Sequence, residues 1–156
     1  MAQTLRASTL TVSIACPPQR VFNAHLCLHS NLAVSIACPP QRVYEFIANP
    51  ENLPRWAPAF CRSIRRAGDD WLVDSPIGTL KFRFVAPNDL GMLDHIVTVE
   101  NEAILNPMRV LANGSGSELL FTLFQRPGMT DAQFDEDIML VTRDLNTLKA
   151  LLEAAP

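Results

Sequence analysis

The sequence predicts an α+β domain in which an antiparallel sheet of six to seven strands packs on one long C-terminal helix, with two short helices after the first strand. Three observations carry this expectation. From Cys61 to Phe124 the apolar residues alternate with period two and short turn signals interrupt them. From Phe134 to Leu152 they recur at steps of three and four. Between them and the N-terminus, a β-branched segment runs through a Pro-Pro pair into a short amphipathic stretch. Short turns dictate antiparallel neighbours, and a helix with one apolar stripe must cover a sheet face to bury it.

The chain has 156 residues, the size of one ordinary domain. Apolar residues make up 48% and charged residues only 19%, below the usual ~25%, so intrinsic disorder is excluded as a global description. With 13 Lys+Arg against 16 Asp+Glu the net charge is −3. Nucleic-acid binding, which draws on a basic stripe, is not expected. The one basic cluster, Arg62, Arg65 and Arg66, is followed by Asp69 and Asp70 and reads as a solvated hairpin. No apolar run reaches the ~18 residues of a membrane span, and the start lacks the build of a signal peptide. A cytoplasmic location is therefore expected. Cys16, Cys27, Cys38 and Cys61 contain no C-x-x-C pair and are expected as buried thiols without a disulfide framework.

The most specific feature is an internal duplication. Val12-Ser13-Ile14-Ala15-Cys16-Pro17-Pro18-Gln19-Arg20-Val21 recurs as Val34-Ser35-Ile36-Ala37-Cys38-Pro39-Pro40-Gln41-Arg42-Val43, ten identities at an offset of 22. A solenoid needs three or more copies. Two copies read as a local tandem duplication, dividing the chain into an N-terminal arm, 1–33, and a domain, 34–156. Each copy is a strand followed by a helix start, so both compete for one slot. The second is expected to win, because Val43-Tyr44-Glu45-Phe46-Ile47-Ala48-Asn49 continues it as a regular amphipathic helix, whereas Val21 to His29 is irregular. The first copy would then be an extra strand, either without function or pairing with a sheet edge, a route to a homodimer through the duplicated segment.

The remaining elements follow in order. Asn49-Pro50-Glu51 caps a second short helix anchored by Leu53, Trp56 and Phe60. Strands follow around Ile64 and Leu72, separated by Gly68-Asp69-Asp70. In Thr79–Val85, Leu80, Phe82 and Phe84 share one face and Lys81 and Arg83 the other. In Leu93–Glu100, His95 shares the face of Leu93, Val97 and Val99. A strand centred on Met108–Leu111 turns at Asn113-Gly114-Ser115-Gly116 into Glu118–Phe124. Thr130-Asp131-Ala132-Gln133 has the form of a capping box, opening a helix to about Ala154 with Asp135, Glu136, Arg143, Asp144, Lys149 and Glu153 on its polar side.

This order resembles the SRPBCC superfamily, also called START-like or helix-grip, whose members include polyketide cyclases, lipid-transfer domains and the birch-pollen-allergen type. The residues that carry it are Val34 to Pro40 and then Val43-Tyr44-Glu45-Phe46-Ile47-Ala48-Asn49-Pro50-Glu51-Asn52-Leu53-Pro54-Arg55-Trp56, an opening common among bacterial members. It covers about residues 33–154, and the duplication departs from it. The resemblance implies a curved sheet gripping the long helix, with a cavity for an apolar ligand between them. It implies no particular reaction.

The residues expected to line that cavity are Trp56, Phe82, Phe84, His95, Val97, Met108, Phe121, Phe134, Ile138 and Val141. An inward His95 could serve as general acid or base, or orient a ligand carbonyl. Asp94 should point to the opposite face, so the two are not a catalytic pair by spacing. Tyr44 and Arg109 are weaker candidates. His25, Cys27 and His29 form H-x-C-x-H, a spacing zinc can use, but a site needs three or four ligands and no metal is expected. No dinucleotide or phosphate-loop motif appears, and no cofactor is expected. The first expectation is a non-catalytic module binding a small hydrophobic molecule. The alternatives are a polyketide cyclase- or dehydratase-type enzyme using His95, and a protein-interaction role for the duplicated arm.

Overall fold

In the computed structural model, which describes residues 28–154, the second repeat copy occupies the strand-to-helix slot. Val34 to Ile36 close strand β1 (His29–Ile36), and Pro40 opens helix α1 (Pro40–Ala48), its fixed φ suiting the first helical position. The first copy, Cys16, His25, Cys27 and the segment expected to mediate a dimer lie outside the described residues. After α1, the Asn49 side chain accepts the Glu51 N–H at 3.1 Å and starts a 3-10 turn, Pro50–Asn52, leading into α2 (Leu53–Trp56).

Seven further strands and one helix complete the order: β2 (Ser63–Ala67), β3 (Asp70–Ser75), β4 (Gly78–Phe84), β5 (His95–Val99), β6 (Glu102–Asn106), β7 (Met108–Asn113), β8 (Gly116–Phe124) and α3 (Asp131–Ala154). The capping box forms: Thr130 N–H donates to Gln133 Oε1 at 2.9 Å, and Gln133 N–H to Thr130 Oγ1 at 3.3 Å.

All pairings are antiparallel, in two ladders, β1-β8-β7 and β2-β3-β4-β5-β6. They meet where β6 passes into β7 through Pro107, which has no N–H to donate. There the residues before β5 pair with β7: Leu93 N–H reaches Met108 O at 2.8 Å, and Val110 N–H reaches Gly91 O at 2.9 Å. Asp94 Oδ1 accepts the Met108 N–H at 2.9 Å, so a side chain completes the joint. Gly91 has φ +70°, and a Cβ there would fall on the Val110 carbonyl oxygen, so the joint requires glycine.

The described residues hold eight strands, one more than the six to seven expected. The additional strand is β6. Its hairpin with β5 turns on Glu100 and Asn101, at φ 49° and 72°, with Val99 opposite Glu102. That is the left-handed geometry of a two-residue hairpin, which glycine usually announces. Without one, the turn was not legible.

The apolar stripe of α3 buries Phe134, Leu145, Leu148 and Leu152 and half-buries Ile138 and Val141. It packs with Val43 and Ile47 of α1 and with Ile36, Val73, Phe82 and Leu119 of the sheet. Cys38 and Cys61 are buried thiols in this core. Asp144 corrects the expected polar side of α3. It is 4% exposed, because the turn after α2 lies against the helix and its Ala59 N–H needs an acceptor, which Asp144 Oδ1 supplies at 3.0 Å. Arg62, Arg65 and Arg66 are exposed around the β2–β3 hairpin.

Candidate functional site

Between the sheet and the first half of α3 the side chains do not close. A cavity of about 260 Å³ remains there. Its floor is the inner face of β4, β5 and β8, with Leu80, Phe82, His95, Val97, Phe121 and Leu123. The alternation along each strand puts these side chains on one surface. Leu53, Trp56 and Phe60, from α2 and the turn after it, form one wall, and Leu140 and Val141 of α3 form the roof. Pro76 and Ile77 in the β3–β4 turn, and Arg126 after β8, line it while exposed to solvent and mark its open side.

Six of the ten residues expected to line a cavity do so: Trp56, Phe82, His95, Val97, Phe121 and Val141. Phe84, Met108, Phe134 and Ile138 do not. Phe84 shares the inner face but stands at the end of β4 beside the floor, edge-on to Phe82 at 4.9 Å between ring centroids. Met108 lies beyond the Pro107 joint, on the strand that packs against α1. Phe134 and Ile138 miss because the lining edge of α3 is Asp137, Leu140, Val141 and Asp144, turned by one position from the apolar stripe.

The polar members Ser75, Asn106, Arg126, Asp137 and Asp144 were not expected. The two aspartates, seven residues apart on one helix face, were the available signal, but an apolar-stripe argument discards them. Burial raises the pKa of both carboxyls. Arg126 opposes this at Asp137, and backbone N–H groups oppose it at Asp144. Ser75 Oγ is used by its own turn, donating to Gly78 O at 2.7 Å.

His95 is 6% exposed and packs among Phe82, Phe84 and Phe121, with centroids 5.1, 5.6 and 5.6 Å away. Its Nδ1 lies 3.2 Å from Leu93 O. A carbonyl only accepts, so Nδ1 carries the proton and donates. Burial pushes the imidazole pKa down to about 4, against weaker upward pulls from the Leu93 bond and the Asp94 charge. The ring is neutral at physiological pH. Asp94 serves the backbone joint and makes no pair with it.

Tyr44 lies away from the cavity. Its hydroxyl accepts the Asn88 N–H at 2.9 Å, and Asn88 in turn holds the loop before β5 through Leu90 and Met92. Arg109 is exposed on the face opposite Met108, as its strand position predicts. Trp56 Nε1 is the one sealed side-chain polar atom without a partner among the described residues. Such a group costs about 1–3 kcal/mol. Among the described residues no group of three His, Cys, Asp or Glu side chains could hold a metal ion, and of the H-x-C-x-H residues only His29, in β1, is described.

A sheet wrapped on a long C-terminal helix, with a cavity between them, is a helix-grip fold. Solved structures share it. XoxI from Bacillus cereus superposes with a TM-score of 0.62 at 19% identity, covering 80% of this chain and 94% of that one. The Aha1 dimer from Colwellia psychrerythraea gives 0.65 at 14%, covering 81% and 96%. Ara h 8.0201 gives 0.62 at 13%, covering 81% and 98%. At these identities the likeness establishes the fold alone. No protein-family model and no curated protein sequence matches the chain.

Proposed function

We propose that this protein is a member of the SRPBCC superfamily that binds a small apolar molecule in the cavity beneath α3, as a carrier or sensor rather than as an enzyme. The observation that carries this reading is the cavity itself. About 260 Å³ bounded by Trp56, Phe82, Val97, Phe121 and Val141 is space that a filled core would not leave. It lies just under the range of ligand pockets, about 300–1,000 Å³, so the ligand is compact. Burying it yields about 25 cal/mol per Å² of apolar surface before ordering costs.

The enzyme alternative rests on His95 and is less well supported. A base held at about pKa 4 takes a proton weakly at neutral pH, and its Nδ1 is oriented by a backbone carbonyl rather than a carboxylate. An arm-mediated interaction concerns residues outside those described, and the cytoplasmic location stays part of this proposal. Among the described residues no helix is long and apolar enough to cross a membrane.

The test is mass spectrometry of organic extracts from the gently purified protein against a mock preparation, followed by titration with naphthalene. A stoichiometric apolar compound, or saturable uptake of naphthalene, is expected. Absence of both would sink the reading.

A further inference from the structure

Among the polar groups that line the cavity, His95 keeps a second ring nitrogen whose hydrogen-bonding role is set by geometry. His95 Nδ1 is committed to Leu93 O, which fixes the tautomer with its proton on Nδ1. Nε2 therefore carries a lone pair and no proton. No described side chain or backbone group hydrogen-bonds to it, and it is not sealed against protein as Trp56 Nε1 is. The ring lines the cavity, and its other neighbours are the faces and edges of Phe82, Phe84 and Phe121, which offer no N–H or O–H. Until a ligand binds, only water can donate to such an acceptor, and an apolar ligand that displaces this water leaves it unpaired unless the ligand brings a donor of its own.

We propose that His95 Nε2 is a specificity-determining acceptor, and that the ligand is a compact aromatic or alicyclic molecule bearing a hydroxyl or phenol that donates to it. This rests on the apolar-cavity reading and sharpens it. It also reverses one expectation: a neutral imidazole in this tautomer cannot donate to a ligand carbonyl, so ketones and ethers are discriminated against. The phenyl rings packed around the imidazole offer no donor, so a ligand acceptor placed against Nε2 would face a lone pair and lose its water without gaining a partner.

The test compares naphthol, its methyl ether and naphthalene by calorimetric titration of the full chain. Naphthol is expected to bind about tenfold more tightly than the ether, which keeps the oxygen but lacks the proton. The preference should vanish in His95→Leu. In the wild-type protein, the Nε2 resonance of His95 in a long-range ¹H–¹⁵N spectrum should move on adding naphthol and stay in place with naphthalene. This readout does not depend on the variant folding. Equal binding of naphthol and its ether, or a preference that survives in a folded His95→Leu, would overturn the inference while leaving the apolar-cavity reading intact. Failure of all three probes to bind would overturn both.

Discussion

The two halves of α3 carry the same kind of apolar stripe and meet the sheet differently. The C-terminal half is closed: Leu145, Leu148 and Leu152 are 3%, 0% and 4% exposed, against Ile36, Val43 and Leu119 at 1%, 0% and 0%. The N-terminal half is anchored by the buried Phe134 but stands off over the cavity, where Leu140 and Val141 are only half-buried. The closed half lies over the β1-β8 ladder, where α1 adds Val43 and Ile47 as a second apolar layer. The open half faces β4 and β5, where the layer is supplied by the four-residue α2 and its trailing turn. The comparison shows where binding capacity comes from. One end of the helix provides stability, and the other is left unfilled at a cost that the first can carry.

Truncation breaks this comparison most strongly. Leu148→Ala should cost about 2–5 kcal/mol in urea unfolding, because its surroundings are closed and leave a new void. Val141→Ala should cost under about 1 kcal/mol, because it borders a void already. Similar losses would show that the two halves are equally packed.

The next effect is in pH. His95 titrates at about 4 when folded and near 6.5 when unfolded, so the unfolded chain binds the proton first as pH falls. Stability is therefore full above about 6.5 and is lost progressively as pH falls towards about 4, by about 3 kcal/mol. The raised carboxyls Asp137 and Asp144 act in the opposite sense, favouring the folded state at low pH relative to high pH. The difference between wild type and His95→Leu isolates the histidine. A wild-type slope no steeper than that of the variant between pH 4 and 6.5 would refute its buried, neutral state.

A filling substitution sharpens the contrast further. Val141→Trp should abolish naphthalene uptake while shifting stability by under about 1 kcal/mol, since the indole enters existing space. Leu148→Trp should cost about 1–3 kcal/mol or more by overpacking. Retained uptake by Val141→Trp would move the ligand elsewhere. The smallest expected effect is at Cys61. Burial, with the charges of Asp74 and Asp144, pushes its thiol up to about 11, and Sγ lies 3.3 Å from Ser63 O. It should stay unmodified by iodoacetamide at neutral pH until the protein unfolds. Rapid alkylation would show that the turn beside α2 opens.

The sequence by itself determined the order of the elements other than β6, and the inward faces of the strands it marked. Alternation in Thr79–Phe84 and His95–Val99 placed Phe82, His95 and Val97 inward, since a strand has only two faces. Thr130 and Gln133 announced the start of α3, and Pro40 the start of α1, because capping and proline chemistry are local. Only the tertiary structure decided what lies across distance. The rotation of α3 that brings Asp137 and Asp144 to the cavity edge depends on how the helix seats on the sheet, and no periodicity encodes it. The Glu100-Asn101 hairpin adopts left-handed backbone without the residue that advertises it, since the β5–β6 pairing holds the turn. The commitment of His95 Nδ1 to Leu93 O, which leaves Nε2 as an acceptor, follows from the backbone course at the ladder joint. Local propensity acts over a few residues, whereas an unfilled volume is a balance among side chains far apart in the chain.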